Sequence, residues 1–213
     1  MTTPEPELLD AQQSTHRIDA ENLPVVSEDD ASPEVKALYG RFRALFGRPV
    51  VPGILQCFAT HPPLLEHMMG LAETMLFSEG ALGREHKELL ATFVSSGNKC
   101  SYCADSHGFY LRLNGGSEET LRAALACDLH SSTLTPRTRS WLGFVARVSD
   151  HSHTITPEDI VALRDDGWSD VQIAETIHLT ALFATFNRVV NAFGLPSQSL
   201  LATLEPKSLE TKA

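Results

Sequence analysis

The residue types best suited to chemistry lie between Glu88 and His107, in the stretch ELLATFVSSGNKCSYCADSH. Cys100 and Cys103 form a Cys-x-x-Cys pair, His107 follows one helical turn later, and Glu88 precedes the pair. If residues 100–113 are helical, positions 100, 103 and 107 (i, i+3, i+7) fall on one face. A thiol reacts as its thiolate, and an ordinary cysteine is mostly protonated near neutral pH. A neighbouring base, a second thiol or a helix N-terminus corrects that. Gly97-Asn98-Lys99 reads as a break between helices, which sets Cys100 in the first turn of the next one, where the dipole favours negative charge. Two sulfurs at i, i+3 are near enough to form a disulfide where geometry allows. The set therefore points to a dithiol that cycles with a disulfide, helped by an imidazole and a carboxylate.

Blander readings of the same residues are two small core cysteines or a zinc site. Cys-x2-Cys-x3-His supplies three ligands where a structural zinc site needs four. No second cluster has the usual spacing, and His151 and His153 are candidates on paper only. His107 alone would be an ordinary helix histidine, and Glu88 with Arg84 at i, i+4 an ordinary ion pair worth a few tenths of a kcal/mol.

The spacing Glu-x11-Cys-x2-Cys-x3-His over Glu88, Cys100, Cys103 and His107 resembles the core motif of the AhpD-like, carboxymuconolactone decarboxylase superfamily. Ala31–Tyr39, Thr60–Leu65, Ala181–Arg188 and Ala192–Leu195 are similar to its peroxidase-related branch, so the resemblance spans roughly residues 23–196. It implies an all-α, AhpD-like helical fold that forms oligomers, and thiol-dependent reduction of a hydroperoxide. On that resemblance Cys103 is peroxidatic and Cys100 resolving, while the helix dipole alone would favour Cys100 as the thiolate. Glu88 and His107 would take and return protons. No cofactor or metal is implied. The electrons would come from a partner thiol protein or a lipoyl-type dithiol, and the protein would be a homo-oligomer (dimer, trimer or hexamer). Alkylhydroperoxidase D carries a histidine between its cysteines where this chain has Tyr102. A phenol with an ordinary pKa near 10 cannot relay protons at neutral pH as imidazole does, but it can bond to a sulfur or wall a pocket. Tyr102 and Asn187 are the candidate substrate-pocket residues. For Asn187, within an apolar helix, interhelical hydrogen bonding is the competing role.

Several elements must position this set. Ser32-Pro33-Glu34 reads as a cap, a first-turn proline and a first-turn acid, opening a helix that Gly47 ends. A short piece over 53–59 precedes a restart at His61-Pro62-Pro63, whose apolar stripe runs to Leu76. Residues 84–96 make the Glu88 helix and 100–113 the Cys-x-x-Cys helix, closed by Asn114-Gly115-Gly116. Ser117 caps 118–127, Thr135-Pro136 and Thr156-Pro157 open two more, and Ser169-x-x-Gln172 is a capping box for a last long helix over 169–193. That helix is apolar nearly all round, hence central or at a subunit interface. No segment alternates as a strand. Residues 1–22 read as a mobile N-terminal tail, 23–196 as the domain and 197–213 as a polar C-terminal tail.

At 213 residues and 42% hydrophobic, the chain suits one domain with a sizeable core. A net charge of −10 argues against nucleic-acid or anionic-membrane surfaces as partners. The N-terminal residues lack a basic start and an apolar core, so a cytoplasmic protein is expected. In a reducing compartment a Cys-x-x-Cys is redox-active or metal-binding rather than a static staple. Competing functions are a redox sensor or disulfide-exchange module without turnover, and a carboxymuconolactone decarboxylase-type enzyme. The Cys-x-x-Cys pair argues against the decarboxylase.

Overall fold

The computed structural model describes residues 20–204. The mobile tail expected for 1–22 lies almost wholly outside them, as does 205–213 of the C-terminal tail. Among the described residues the structure is all-α, with nine α-helices and no strand. They are α1 (Pro33–Phe46), α2 (Gly53–Phe58), α3 (Pro62–Ala72), α4 (Arg84–Gly97), α5 (Ser101–Leu113), α6 (Glu118–Leu125), α7 (Pro136–His151), α8 (Pro157–Asp165) and α9 (Asp170–Phe193).

The local signals act as their chemistry dictates. The hydroxyls of Ser32, Ser117, Thr135 and Ser169 each accept a backbone N–H of the first helical turn, a cap worth about 1 kcal/mol. Gly47 and Gly194 end α1 and α9 in the left-handed conformation. After Ala72 the helix of α3 does not stop. It widens into a π-helical turn over Glu73–Phe77, a feature that an unbroken apolar stripe conceals.

The centre of the fold is α4, which packs against α5, α6, α7 and α9. Leu89, Leu90, Phe93 and Val94 are buried there against Leu142, Val145, Leu179 and Phe183. Each fully buried side chain of this size contributes about 1.5–3 kcal/mol. α9 is also central, burying Ile173, Leu179, Leu182, Phe183 and Val190. Its polar members are bonded within the core. Thr176 receives the Trp141 indole N–H at 2.9 Å, and Thr180 donates to the Thr176 carbonyl. Lys87, 1% exposed, donates to the Glu175 carboxylate at 2.7 Å and to the Ser78 carbonyl at 3.1 Å. Glu175 also accepts the Leu82 N–H, so one buried ion pair ties the 78–82 turn to α4 and α9.

The segment after α9 departs from the polar-tail reading. Residues 195–204 fold back over α5 as a strap, and the amides of Leu200 and Leu201 both donate to the Asp105 carboxylate, at 2.8 and 3.0 Å. Leu201 reaches α5 at Gly108, where an added Cβ would stand 3.1 Å from it.

Candidate active site

All four residues of the motif sit on the α4–α5 hairpin. α4 closes through paired bonds from Lys99 N–H to the Ser96 carbonyl and from Cys100 N–H to the Ser95 carbonyl. That is the Schellman arrangement, with Lys99 at φ 54° in the left-handed place usually given to glycine. The tight ending makes Cys100 the N-cap of α5, one position ahead of the expected first turn. Cys103 follows inside the first turn and His107 a turn beyond it.

The two sulfurs are unlike. Cys103 lines a cavity of about 650 Å³, and Cys100 does not. Cys100 is 1% exposed and lies behind its partner, and all four cysteines are free thiols. The Cys103 thiol donates to Cys100 and draws the Cys100 pKa below the usual cysteine value against the opposing effect of burial; the Cys103 backbone N–H and the Asn187 amide assist. Cys103 is pushed well up, by holding that hydrogen bond and by burial. The pair therefore keeps its proton on the cavity-facing sulfur and its first negative charge on the inner one, at the positive end of α5.

Glu88 is fully buried on α4. Its Oε2 accepts His107 Nδ1 at 2.7 Å, and its Oε1 accepts Arg84 Nε at 2.7 Å. Burial alone would push this carboxyl up, but the charge and hydrogen bond of His107, then those of Arg84, hold it below the usual carboxylate range. An ionised carboxylate only accepts, so Nδ1 carries a proton and a neutral His107 keeps its lone pair on Nε2. Phe183 meets the imidazole edge-on with centroids 4.6 Å apart and fixes the ring further. Glu88, Cys103 and His107 all line the same cavity.

Tyr102 also lines it. Its hydroxyl is engaged with the Gly53 N–H at 2.8 Å, closing the start of α2, which has no cap of its own. Burial and then nearby Cys103 push the phenol far up, so it stays protonated. Asn187, expected in the pocket wall, is placed instead behind the sulfurs. It accepts from Asn98 and donates to Ser95, each at 3.0 Å, and its amide lowers both thiol pKa values. Its helix leaves one stripe exposed, through Val171, Ala174, His178, Ala181, Thr185 and Arg188, and the face carrying Asn187 meets the α4–α5 turn. Residues that sequence reasoning passed over complete the site. Phe183 and Phe186 of α9 wall the cavity, and Arg48 and Tyr110 line it too. Cys57 packs beside Cys100, Cys103 and Tyr102, with burial pushing its thiol up to about 12. Among the described residues no group of three or more His, Cys, Asp or Glu is placed to hold a metal ion, and no helix is long and apolar enough to cross a membrane.

Residues 62–130 match the family model of the Carboxymuconolactone decarboxylase family. No curated protein matches the chain. Among solved structures, the alkylhydroperoxidase AhpD core of an uncharacterized peroxidase-related protein from Ralstonia eutropha JMP134 aligns with a TM-score of 0.73 at 23% identity, over 84% of this chain and 93% of that one. An uncharacterized peroxidase-related protein from Silicibacter sp. TM1040 aligns with a TM-score of 0.70 at 25% identity, over 87% and 94%. The debrominase Bmp8, in complex with 2,3,4-tribromopyrrole, aligns with a TM-score of 0.68 at 19% identity, over 87% and 98%. The resemblance to the AhpD-like, carboxymuconolactone decarboxylase superfamily and its peroxidase-related branch is thus borne out, as is the AhpD-like all-helical fold.

Proposed function

We propose that the protein is a thiol-dependent hydroperoxide reductase. The observation that carries this reading is a dithiol with one sulfur in the cavity wall, beside an imidazole oriented by a buried carboxylate. Cys103 is the sulfur a substrate can meet. His107 accepts its proton through Nε2, with Glu88 holding the imidazolium that forms. The resulting thiolate attacks the O–O bond. One oxygen stays on sulfur as a sulfenic acid, and the other leaves as an alkoxide, to which His107 returns the proton, giving the alcohol. Cys100, already biased towards its thiolate, attacks the Cys103 sulfur and expels hydroxide, which takes up the proton given up by the Cys100 thiol, so a disulfide forms and water leaves. Two thiols are oxidised and one hydroperoxide is reduced to alcohol and water. An external dithiol, on a thiol protein or a lipoyl group, restores the pair by exchange.

The test is mass spectrometry of reduced protein before and after one equivalent of an alkyl hydroperoxide. The expected result is rapid loss of two hydrogens mapped to Cys100–Cys103. In Cys100→Ser a sulfenic acid should be trapped on residue 103, and in Cys103→Ser none should form. Persistent free thiols would overturn the reading. A second reading is reductive removal of bromine from an aromatic ring, in which the same two thiols supply two electrons and the products are the reduced ring, bromide and a disulfide. The aromatic lining of the cavity and the likeness to a debrominase favour it, and bromide release from a bromopyrrole would distinguish it.

A further inference from the structure

A hydroperoxide group fills little of the space beside Cys103, since the cavity holds about 650 Å³. At roughly 30 Å³ for each water-sized or methylene-sized group, that is room for about 20 non-hydrogen atoms. Two strings of aromatic rings line it. Phe42 meets Phe46 and Phe46 meets Phe77, with centroids 5.0 and 4.6 Å apart. The second string runs from Phe58 through Phe186 to Phe183, at 5.9 Å for each step, and ends on the His107 imidazole.

The charges in this lining are committed within the protein. Glu88 takes up both Arg84 and His107, and the Arg84 guanidinium also lies 4.7 Å over the Phe77 ring. Arg48 is engaged as well, with its guanidinium 4.5 Å over the Tyr110 ring. Two hydroxyls of the lining are turned to backbone: Ser106 donates to the Tyr102 carbonyl, and Ser197 accepts the Ser199 N–H. A charged guest would exchange its water for aromatic walls and, among the described residues, for side chains already paired, which is the costliest kind of burial. The net charge of −10 sets the surrounding field against anions besides. An uncharged guest meets neither penalty and gains from the burial of its apolar surface.

We infer that the cavity takes an uncharged organic hydroperoxide with an apolar body of about 15–20 non-hydrogen atoms and rejects its carboxylated counterpart. The hydroperoxide sits at Cys103 and the body along the phenylalanines. That the guest reacts rests on the reading above; its size and neutrality do not. Atoms and electrons balance as in that reaction, giving an uncharged alcohol, water and the Cys100–Cys103 disulfide.

Binding is measured on the reduced wild-type protein at neutral pH by the fluorescence of N-phenylnaphthylamine, an uncharged probe of about 17 non-hydrogen atoms that brightens on leaving water. Saturable binding of one probe per chain is expected. Methyl biphenylcarboxylate should displace it at least ~10-fold more tightly than biphenylcarboxylate; the ester is the larger of the two, so crowding alone predicts the opposite order. Ala72 is a small residue of the wall, and Ala72→Phe should weaken the probe about 5- to 10-fold, with thermal unfolding as the check on its fold. On the wild type, the ester should slow disulfide formation by cumene hydroperoxide in proportion to its occupancy. Absence of saturable probe binding, equal displacement by acid and ester, or undiminished oxidation at saturating ester overturns the inference. Oxidation by cumene hydroperoxide without probe binding overturns this inference alone. Probe binding with the ester preferred, but without oxidation, upholds it and removes the peroxidase reading.

Discussion

Glu88→Gln separates the chemistry of the site from its architecture. The side chain is fully buried, and its two oxygens accept from two different donors, Arg84 and His107. An amide of the same shape keeps one acceptor and turns the other position into a donor facing a donor. One charge-assisted hydrogen bond, worth about 1.5–3 kcal/mol, is therefore lost. The side chains of Arg84 and His107 are 30% and 17% exposed, so water re-solvates the abandoned partner, and a net loss of about 2 kcal/mol is expected. For a domain of this size that lowers the melting temperature by roughly 4–8 °C, leaving the protein folded at 25 °C. The kinetic effect should be larger. Without the carboxylate, Nδ1 loses the acceptor that fixes the tautomer and steadies the imidazolium, and proton transfer of this kind contributes about 10²- to 10⁴-fold. Stopped-flow measurement of disulfide formation with an alkyl hydroperoxide should show at least a ~10²-fold slower second-order step, alongside thermal unfolding of the same sample. A rate within about threefold of wild type, with the melting temperature lowered as expected, would refute the relay and leave Glu88 a structural residue. The pH profile offers an independent check. The folded-state carboxyl titrates below its unfolded value, so it stabilises the fold above the ordinary carboxylate pKa near 4.3 and that stability is lost as pH falls through the lower folded value. Glu88→Gln should flatten this acid limb.

The thiolate absorbance of the reduced protein should titrate with a first midpoint below the ordinary cysteine value near 8.5, and Cys103→Ala should raise it, because the largest cause holding Cys100 down is the hydrogen bond from Cys103. An unmoved midpoint would show that the helix end and Asn187 suffice. Tyr102→Phe should cost about 1 kcal/mol in denaturant unfolding through the orphaned Gly53 N–H while disulfide formation persists; loss of oxidation would instead place the phenol in the chemistry.

The helices were legible wherever a side chain closes a helix by itself. Ser32-Pro33, Thr135-Pro136 and Ser169-x-x-Gln172 mark starts through bonds made within one turn, so the sequence contains both partners. The Glu88–Cys100–Cys103–His107 set was legible for the same reason, since one hairpin holds it. What stayed hidden depends on partners far along the chain. Asn187 reaches Asn98 and Ser95 across more than 85 residues, and α9 is too uniformly apolar for periodicity to say which face meets the sulfurs. The strap over α5 hangs on backbone amides meeting Asp105, and a backbone amide has no sequence signature. Arg48 lies in a loop read only for its prolines and glycine, and its place in the cavity lining goes with α5 bringing Tyr110 beneath it.

The α4–α5 hairpin also bears on how such a protein can diversify. Its sulfurs, base and carboxylate descend together as one short uninterrupted piece of chain, 88–107, whereas most of the cavity walls are drawn from α1, the loop after it, α2, α3, the π-helical turn, the later part of α5, α9 and the strap. Substitutions scattered over those walls can remodel which guests are admitted, one residue at a time, while the reagent is inherited intact. An insertion at Asn98-Lys99 has the opposite effect, since it would turn the sulfurs away from Glu88 for every guest at once. Descendants of this architecture should accordingly differ in appetite far more readily than in chemistry.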